Sequence, residues 1–386
     1  ARASDHRQAA SLFALAQAHA HGQALPVRAS LAERHAHECM LSNQIEAAIA
    51  AYQQALTLRA QAGDGVGQGI NHRQMARLVW LRDGAPMALD HAREAVALLT
   101  DRSADRELAM AHATMAQLLQ AADDPDAALT WGRSGLVLAE PLGDAEALAY
   151  TLNSAACAEL RIQDSAPAWA QLRRSLDLSL THGLDEHAAR AYINLPTLAS
   201  LHRRLEDALR WSDEGLRFCA ARDLDIYTGR LRLRRLQALL EAGRWAEVRT
   251  ELANLLAFPA ITALEREQAQ HMAMLLALRQ GEAQARPYWD AMCRGERHLS
   301  ISPLHAPLAV LCAEAAWLAD DHATVARVAS AALPGAIGRR APWFVGQLAC
   351  WLQRVGHPVP SLSMALPEPC ARELAGHAND AALAWA

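Results

Sequence analysis

An all-α fold, a solenoid of stacked antiparallel helix hairpins, is predicted by three features of this sequence. The first is composition: 52% of residues are hydrophobic but only 5% aromatic, and alanine recurs throughout. Val, Ile and Thr are scarce, and no stretch alternates apolar and polar residues over the length of a strand. Alanine and leucine favour helix because they lose little rotamer freedom there. The second is a repeat with an interval of 40 residues. The third is a set of turn signals that recur at matching places in each repeat.

The repeat appears by subtraction. "AIAAYQQAL", "ALDHAREAV", "ALTWGRSGL", "AWAQLRRSL" and "ALRWSDEGL" begin at Ala48, Ala88, Ala128, Ala168 and Ala208, 40 apart. Seven residues on comes a small residue: Ala55, Ala95, Gly135, Ser175 and Gly215. The next is aliphatic: Leu56, Val96, Leu136, Leu176 and Leu216. Seven residues make two helical turns, so the small residues share a face and a neighbouring helix can approach closely, with the aliphatic expected to fill the seam. Upstream of each lies another helix with its own signature, Ala76/Leu78, Ala116/Leu118, Ala158/Leu160 and Ala199/Leu201.

Within each unit the break is Asp83-Gly84-Ala85-Pro86, Asp123-Asp124-Pro125-Asp126 or Gln163-Asp164-Ser165. Between units it is Ala62-Gly63-Asp64, Leu142-Gly143-Asp144, His182-Gly183-Leu184 or Arg222-Asp223-Leu224. Gly followed by Asp stops one helix and caps the next. "HRQAASLFALAQAHAHG" opens the chain as a second helix without its partner. Later units are weaker. "TGRLRLRRLQALLEAG", "REQAQHMAMLLALRQG" and "LAVLCAEAAWLAD" read as first helices; "GRWAEVRTELANLL", "EAQARPYWDAM" and "DDHATVARVASAAL" read as second helices. Residues 1–336 are expected to form the array, and 337–386 divergent helical repeats. "NDAALAWA" matches the start of a further repeat helix, so the expectation is a segment of a longer protein, truncated at its end.

Small residues about 12 apart across the turn and 7 apart along the second helix resemble the tetratricopeptide repeat (TPR). Ala76, Ala88 and Ala95 fit that pattern, as do Ala116, Ala128 and Gly135. The resemblance implies a right-handed superhelix. Several stretches together, 36–64, 106–155, 175–195 and 366–386, resemble the C-terminal repeat region of large bacterial ATP-dependent LuxR-type transcriptional regulators. In that family a P-loop ATPase precedes the repeats and a helix-turn-helix domain usually follows. The resemblance implies a cytoplasmic, non-catalytic sensor arm. Its superhelix takes an inducer or partner protein and relays that signal. A stand-alone TPR adaptor that scaffolds a complex is the alternative.

Net charge is -5, which offers no counterion-displacing footprint for direct nucleic-acid binding. Lysine never occurs, so the chain itself has no Walker lysine loop. Seven scattered cysteines read as thiols in a reducing compartment. No apolar run reaches membrane-spanning length. His35 and Cys39 stand four apart with Glu38 beside them, but no zinc spacing accompanies them, so no metal is expected. "GDGVGQG" (63–69) lacks the preceding strand of a nucleotide fingerprint and reads as a flexible turn. No catalytic constellation or cofactor motif is present, and no enzyme is expected.

The concave groove of such an array is lined by first helices. With Ala76 in the seam, Arg73, Arg77 and Trp80 flank it, and equivalent counting gives Gln117, Gln120, Glu159, Ser200 and Arg203. This set suits a peptide or polar ligand held by several weak contacts. Arg230 and Arg234 make a secondary basic face that would take an anion or acidic partner, with a solvated helix face as the plainer reading. Trp131, Trp211, Trp245, Trp289 and Trp317 read as core. Exposed apolar repeat ends predict self-association.

Overall fold

The computed structural model describes residues 5–100, 102–122, 124–259, 261–294, 308–377 and 379. The described residues hold helices and turns and no strand. They divide into two compact units, one of residues 1–242 and 253–265, the other of 243–252 and 266–386. The final "NDAALAWA", apart from residue 379, lies outside the described residues.

The first unit carries the ladder. It begins with α1 (His6–Ala18), α2 (Leu25–Leu41), α3 (Ile45–Gln61), α4 (Gly65–Asp83), α5 (Ala85–Leu99) and α6 (Asp105–Ala121). It continues with α7 (Pro125–Ala139), α8 (Ala145–Ile162), α9 (Ala166–Thr181), α10 (Asp185–Leu201), α11 (Leu205–Ala220) and α12 (Asp225–Glu241). Hairpins α2/α3 through α10/α11 stack in order, and each first helix from α4 to α12 also packs on the next one along. The inner row curves enough that α12 touches α2.

The alignment in steps of 40 is exact in space. Ala48, Ala88, Ala128, Ala168 and Ala208 are each at most 1% exposed. The small residues seven further on are buried too. So are Tyr52, Ala92, Gly132, Leu172 and Ser212, four residues on. The aliphatic of the repeat plays a smaller part than expected. Leu176 is buried, but Leu56, Val96, Leu136 and Leu216 are half-buried at the rim, about 100° round the helix from the small residue just before them.

Aspartate or serine starts many of the helices. Asp5, Asp64, Asp124, Asp144 and Ser165 accept from the N–H three residues on, at 2.8–3.3 Å. Such a cap contributes about 1 kcal/mol. The glycine-rich stretch corrects the sequence reading. Only Gly63 is in the turn, at φ +67°; Gly65, Gly67 and Gly69 are buried inside the first turns of α4. A Cβ on Gly69 would lie 2.7 Å from Leu99, so these glycines serve close packing rather than flexibility.

Left-handed residues recur at helix ends, 20 or 40 residues apart: Asn43, Gly63, Ser103, Gly143, Gly183, Arg203, Asp223 and Gly243. Non-glycine residues there strain the backbone by about 1–2 kcal/mol. Asp223, at φ +54°, also has its carboxyl pushed up by burial and by nearby Asp225 and Asp5. Asp223→Gly is therefore expected to stabilise the first unit by about 1 kcal/mol, read as a higher urea midpoint of the helical circular dichroism.

The second unit begins at Gly243, just before α13 (Trp245–Leu256), whose residues 253–256 belong to the first. α14 (Ala263–Arg279), α15 (Ala285–Cys293), α16 (Leu308–Trp317), α17 (His322–Gly338), α18 (Pro342–Arg354) and α19 (Glu368–Leu374) follow. The expected boundary between residues 336 and 337 falls inside α17. Val310, Leu333, Val345, Leu348 and Leu352 make one core there, and Trp289 is fully buried. Trp245 is not core: it is 36% exposed. Trp131 and Trp211 are half-buried against His112 and Tyr192, and Trp317 stacks on His322.

Candidate functional site

The inner face of the first unit is closed upon itself. Arg73 and Arg77 lie one turn apart on α4 and are only 4% and 8% exposed, so neither lines an open groove. Arg77 pairs with Glu186 of α10, and its guanidinium also reaches the Tyr227 hydroxyl of α12 at 3.5 Å. That hydroxyl donates to the same Glu186 oxygen at 3.2 Å. His37 of α2 stands 4.0 Å from the other oxygen. One carboxylate thus gathers groups from α2, α4 and α12. Burial pushes the Glu186 carboxyl up, but Arg77, then His37 and His187, outweigh it and hold it well below the usual carboxylate range.

Tyr150 of α8 is the second centre, with no exposure. The Arg190 guanidinium lies 4.0 Å from its ring centroid and that of Arg73 5.9 Å. Its hydroxyl is 2.8 Å from Thr114 Oγ1. Burial raises the Tyr150 hydroxyl, yet Arg190, Arg77, Arg73 and the Thr114 hydrogen bond bring it below its ordinary value. His187 stands edge-on to the ring and shares a 3.1 Å hydrogen bond with Glu146. Burial lowers the His187 imidazole despite that carboxylate. The His187 bond, with Arg106 and Arg73, holds the Glu146 carboxyl at about 2.

Polar groups near this ring are unmatched on both sides: Glu107 Oε2, 3.7 Å from Arg73 Nη2, is buried without a hydrogen-bond partner. Arg190 donates to Gln117 Oε1 at 3.0 Å and meets no carboxylate among the described residues. Its Nη1, the Nε of Arg73 and the Nδ2 of Asn153 are buried without a hydrogen-bond partner. A buried, unmatched donor costs about 1–3 kcal/mol. The face therefore holds unmatched polar groups of both kinds.

The other expected residues are more scattered. Trp80 is half-buried beneath Arg230, whose Cζ is 5.8 Å from the ring centroid. Arg230 and Arg234 do not form a solvated face: Arg234 is 8% exposed, and burial with the neighbouring Arg230 lowers it to about 10. The chain supplies its own acid there. Glu265 offsets part of that burial cost, and Gly229 lets it approach, since a Cβ on Gly229 would lie 2.7 Å from Oε1. Gln120 donates to the Ser154 carbonyl at 3.2 Å, and Glu159 accepts from Ser165 in the following turn. Ser200 is buried near the end of α10. Arg203 lies beyond α10, at φ +59°, and binds Glu241 at 2.6 Å. The structure thus brings Arg73, Arg77 and Gln117 to one buried network and leaves Glu159, Ser200 and Arg203 near hairpin turns.

Sequence reasoning missed Tyr150, Glu186, His187, Arg190 and Tyr227. The signal was available. Tyr150, Arg190 and Arg230 are 40 apart, as are Glu146 and Glu186. Subtraction applied to polar residues of the first helices would have found the inner face.

Hairpin geometry, the 40-residue step and close packing at small residues define this as a TPR-like all-α repeat protein. No protein-family model and no curated protein matches the chain. Among solved structures it is similar to a Signal Transduction ATPase with Numerous Domains (STAND) protein with a tetratricopeptide repeat sensor, from Pyrococcus horikoshii, at 12% identity and TM-score 0.50. That match covers 82% of this chain and 48% of the other, so this chain spans about half the length of the protein it resembles. A circular tandem repeat protein matches at 14% identity and TM-score 0.21 over 98% of this chain and 95% of that one. Among the described residues no helix is long and apolar enough to cross a membrane.

Proposed function

We propose that this chain is the sensor and protein-interaction superhelix of an ATP-dependent LuxR-type transcriptional regulator. It takes an inducer or partner on its inner face and relays that event to ATPase and DNA-binding modules outside the chain. Residues 337–386 would be divergent helical repeats, truncated at the end. The observation that carries the reading is the polar network linking α2, α4, α10 and α12 through Glu186, on an inner face with unmatched polar groups. A ligand that competes for these groups binds an opened inner face better than a closed one. Such differential affinity is what a two-state sensor requires. The contact residues would be Arg73, Arg77, Trp80 and Gln117, with Gln120, Glu159, Ser200 and Arg203 toward the turns and Arg230 and Arg234 beside Trp80. The fold kinship with a STAND protein carrying a repeat sensor supports the same role.

The test is to capture the native protein from its source cells with an antibody to this chain. The proposal expects a species well above 41.8 kDa that hydrolyses ATP and binds DNA. A species of 41.8 kDa without either activity contradicts it and leaves the stand-alone adaptor.

A further inference from the structure

We propose that Cys293 and Cys312 are a peroxide-sensing thiol pair that closes to a disulfide between α15 and α16. The inference stands apart from the sensor reading of the inner face, because it concerns the second unit alone.

All seven cysteines are thiols. Four of them lie as two neighbouring pairs in the second unit, Cys293 with Cys312 and Cys350 with Cys370. In each pair one Sγ also approaches its partner's carbonyl oxygen, at 3.7 Å for Cys293 on Cys312 and 3.8 Å for Cys350 on Cys370.

The pairs differ in access and charge. Cys350 and Cys370 are 2% and 0% exposed; the neighbouring thiol and burial push Cys350 up there, as they push Cys312 up in the other pair. Cys293 is half-buried at the end of α15, while Cys312 is buried. The Cys312 hydrogen bond favours the Cys293 thiolate. Arg327 of α17 adds to this and donates to the Cys293 carbonyl at 3.3 Å; burial, Asp290 and Asp321 oppose it. An accessible thiolate backed by a buried partner thiol is the arrangement of an attacking and a resolving cysteine. In a reducing compartment such disulfides are transient and serve redox sensing or catalysis.

The chemistry balances with hydrogen peroxide as oxidant. The Cys293 thiolate attacks one peroxide oxygen, the O–O bond breaks, and hydroxide leaves to become water. Cys293 is then a sulfenic acid, oxidised by two electrons. The Cys312 sulfur attacks that sulfur, the S–S bond forms, and the hydroxyl departs with the Cys312 proton as a second water. A dithiol reductant returns both thiols.

The test treats the whole chain with hydrogen peroxide at neutral pH, alkylates the remaining thiols, and maps peptides without reduction. A linked Cys293–Cys312 peptide is expected, about 2 Da below the sum of its parts. It should form roughly tenfold faster than oxidation at the other cysteines, and dithiothreitol should reverse it. Cys312→Ser should halt at a dimedone-reactive sulfenic acid on Cys293. Cys293→Ser should leave Cys312 unoxidised. Circular dichroism of both variants confirms that they are folded. A Cys350–Cys370 link forming as fast, or a Cys293 that resists peroxide in the folded chain, would overturn the proposal.

Discussion

Replacing Glu186 by alanine is expected to destabilise the first unit by about 3–5 kcal/mol, because it strands buried Arg77 without its charge partner. The Glu186 side chain is 14% exposed and that of Arg77 9%, so water replaces the lost partner poorly. Tyr227 loses its acceptor in the same change. The loss should appear as a lower urea midpoint for helical circular dichroism, and as faster hydrogen exchange in α4, α10 and α12 together. Exchanging the pair for apolar residues of similar volume, Arg77→Met with Glu186→Leu, should recover most of the loss, since well-packed apolar groups often match a buried ion pair. That double variant separates stability from the proposed sensing: it is expected to fold but lacks the polar groups through which a ligand would compete.

Acidification is expected to weaken the second unit through His271 of α14. This imidazole is 7% exposed, edge-on to Trp289 at 4.9 Å, with its Nδ1 3.2 Å from the Tyr288 hydroxyl. Its Nε2 is buried without a partner. Burial lowers it to about 4 from the ordinary 6.5. The folded state therefore binds its proton less readily than the unfolded state. The contribution to stability is full above pH 6.5 and is lost as pH falls through about 4. The loss is on the order of 3 kcal/mol. Hydrogen exchange of α14 and α15 across that range should quicken accordingly, and His271→Gln should flatten the dependence. An unchanged slope in that variant would remove His271 as its cause. The low Glu186 carboxyl acts the same way in the first unit, below the ordinary carboxylate range.

Helix hairpins, their step and their order were legible because backbone geometry imposes them. A small residue must recur wherever two helices approach closely, so Ala88, Ala128 and Ala168 announce themselves by spacing alone. The left-handed residues were half legible. Gly63, Gly143 and Gly183 are visible as glycines, but Ser103, Arg203 and Asp223 adopt the same conformation through the surrounding hairpin. The glycines of α4 were misread because close packing and flexibility call for the same residue. The inner face was harder still. Which side of α4 carries Arg73 and Arg77 follows from helical phase, but the closeness of α10 and α12 depends on curvature accumulated over several repeats. No local pattern reports that curvature. A buried arginine and a groove arginine therefore look identical in sequence until Glu186 is brought across from another repeat.

The central claim, that the inner face is closed by polar contacts between distant repeats, is tested most directly by a double-mutant cycle between Arg77 and Glu186. The two residues are 109 apart in sequence. With each replaced by alanine singly and together, a coupling energy of about 2 kcal/mol or more is predicted, within the range found for residues in one network. Additive effects, with coupling below about 0.5 kcal/mol, would mean that these helices do not meet and would contradict the closed inner face.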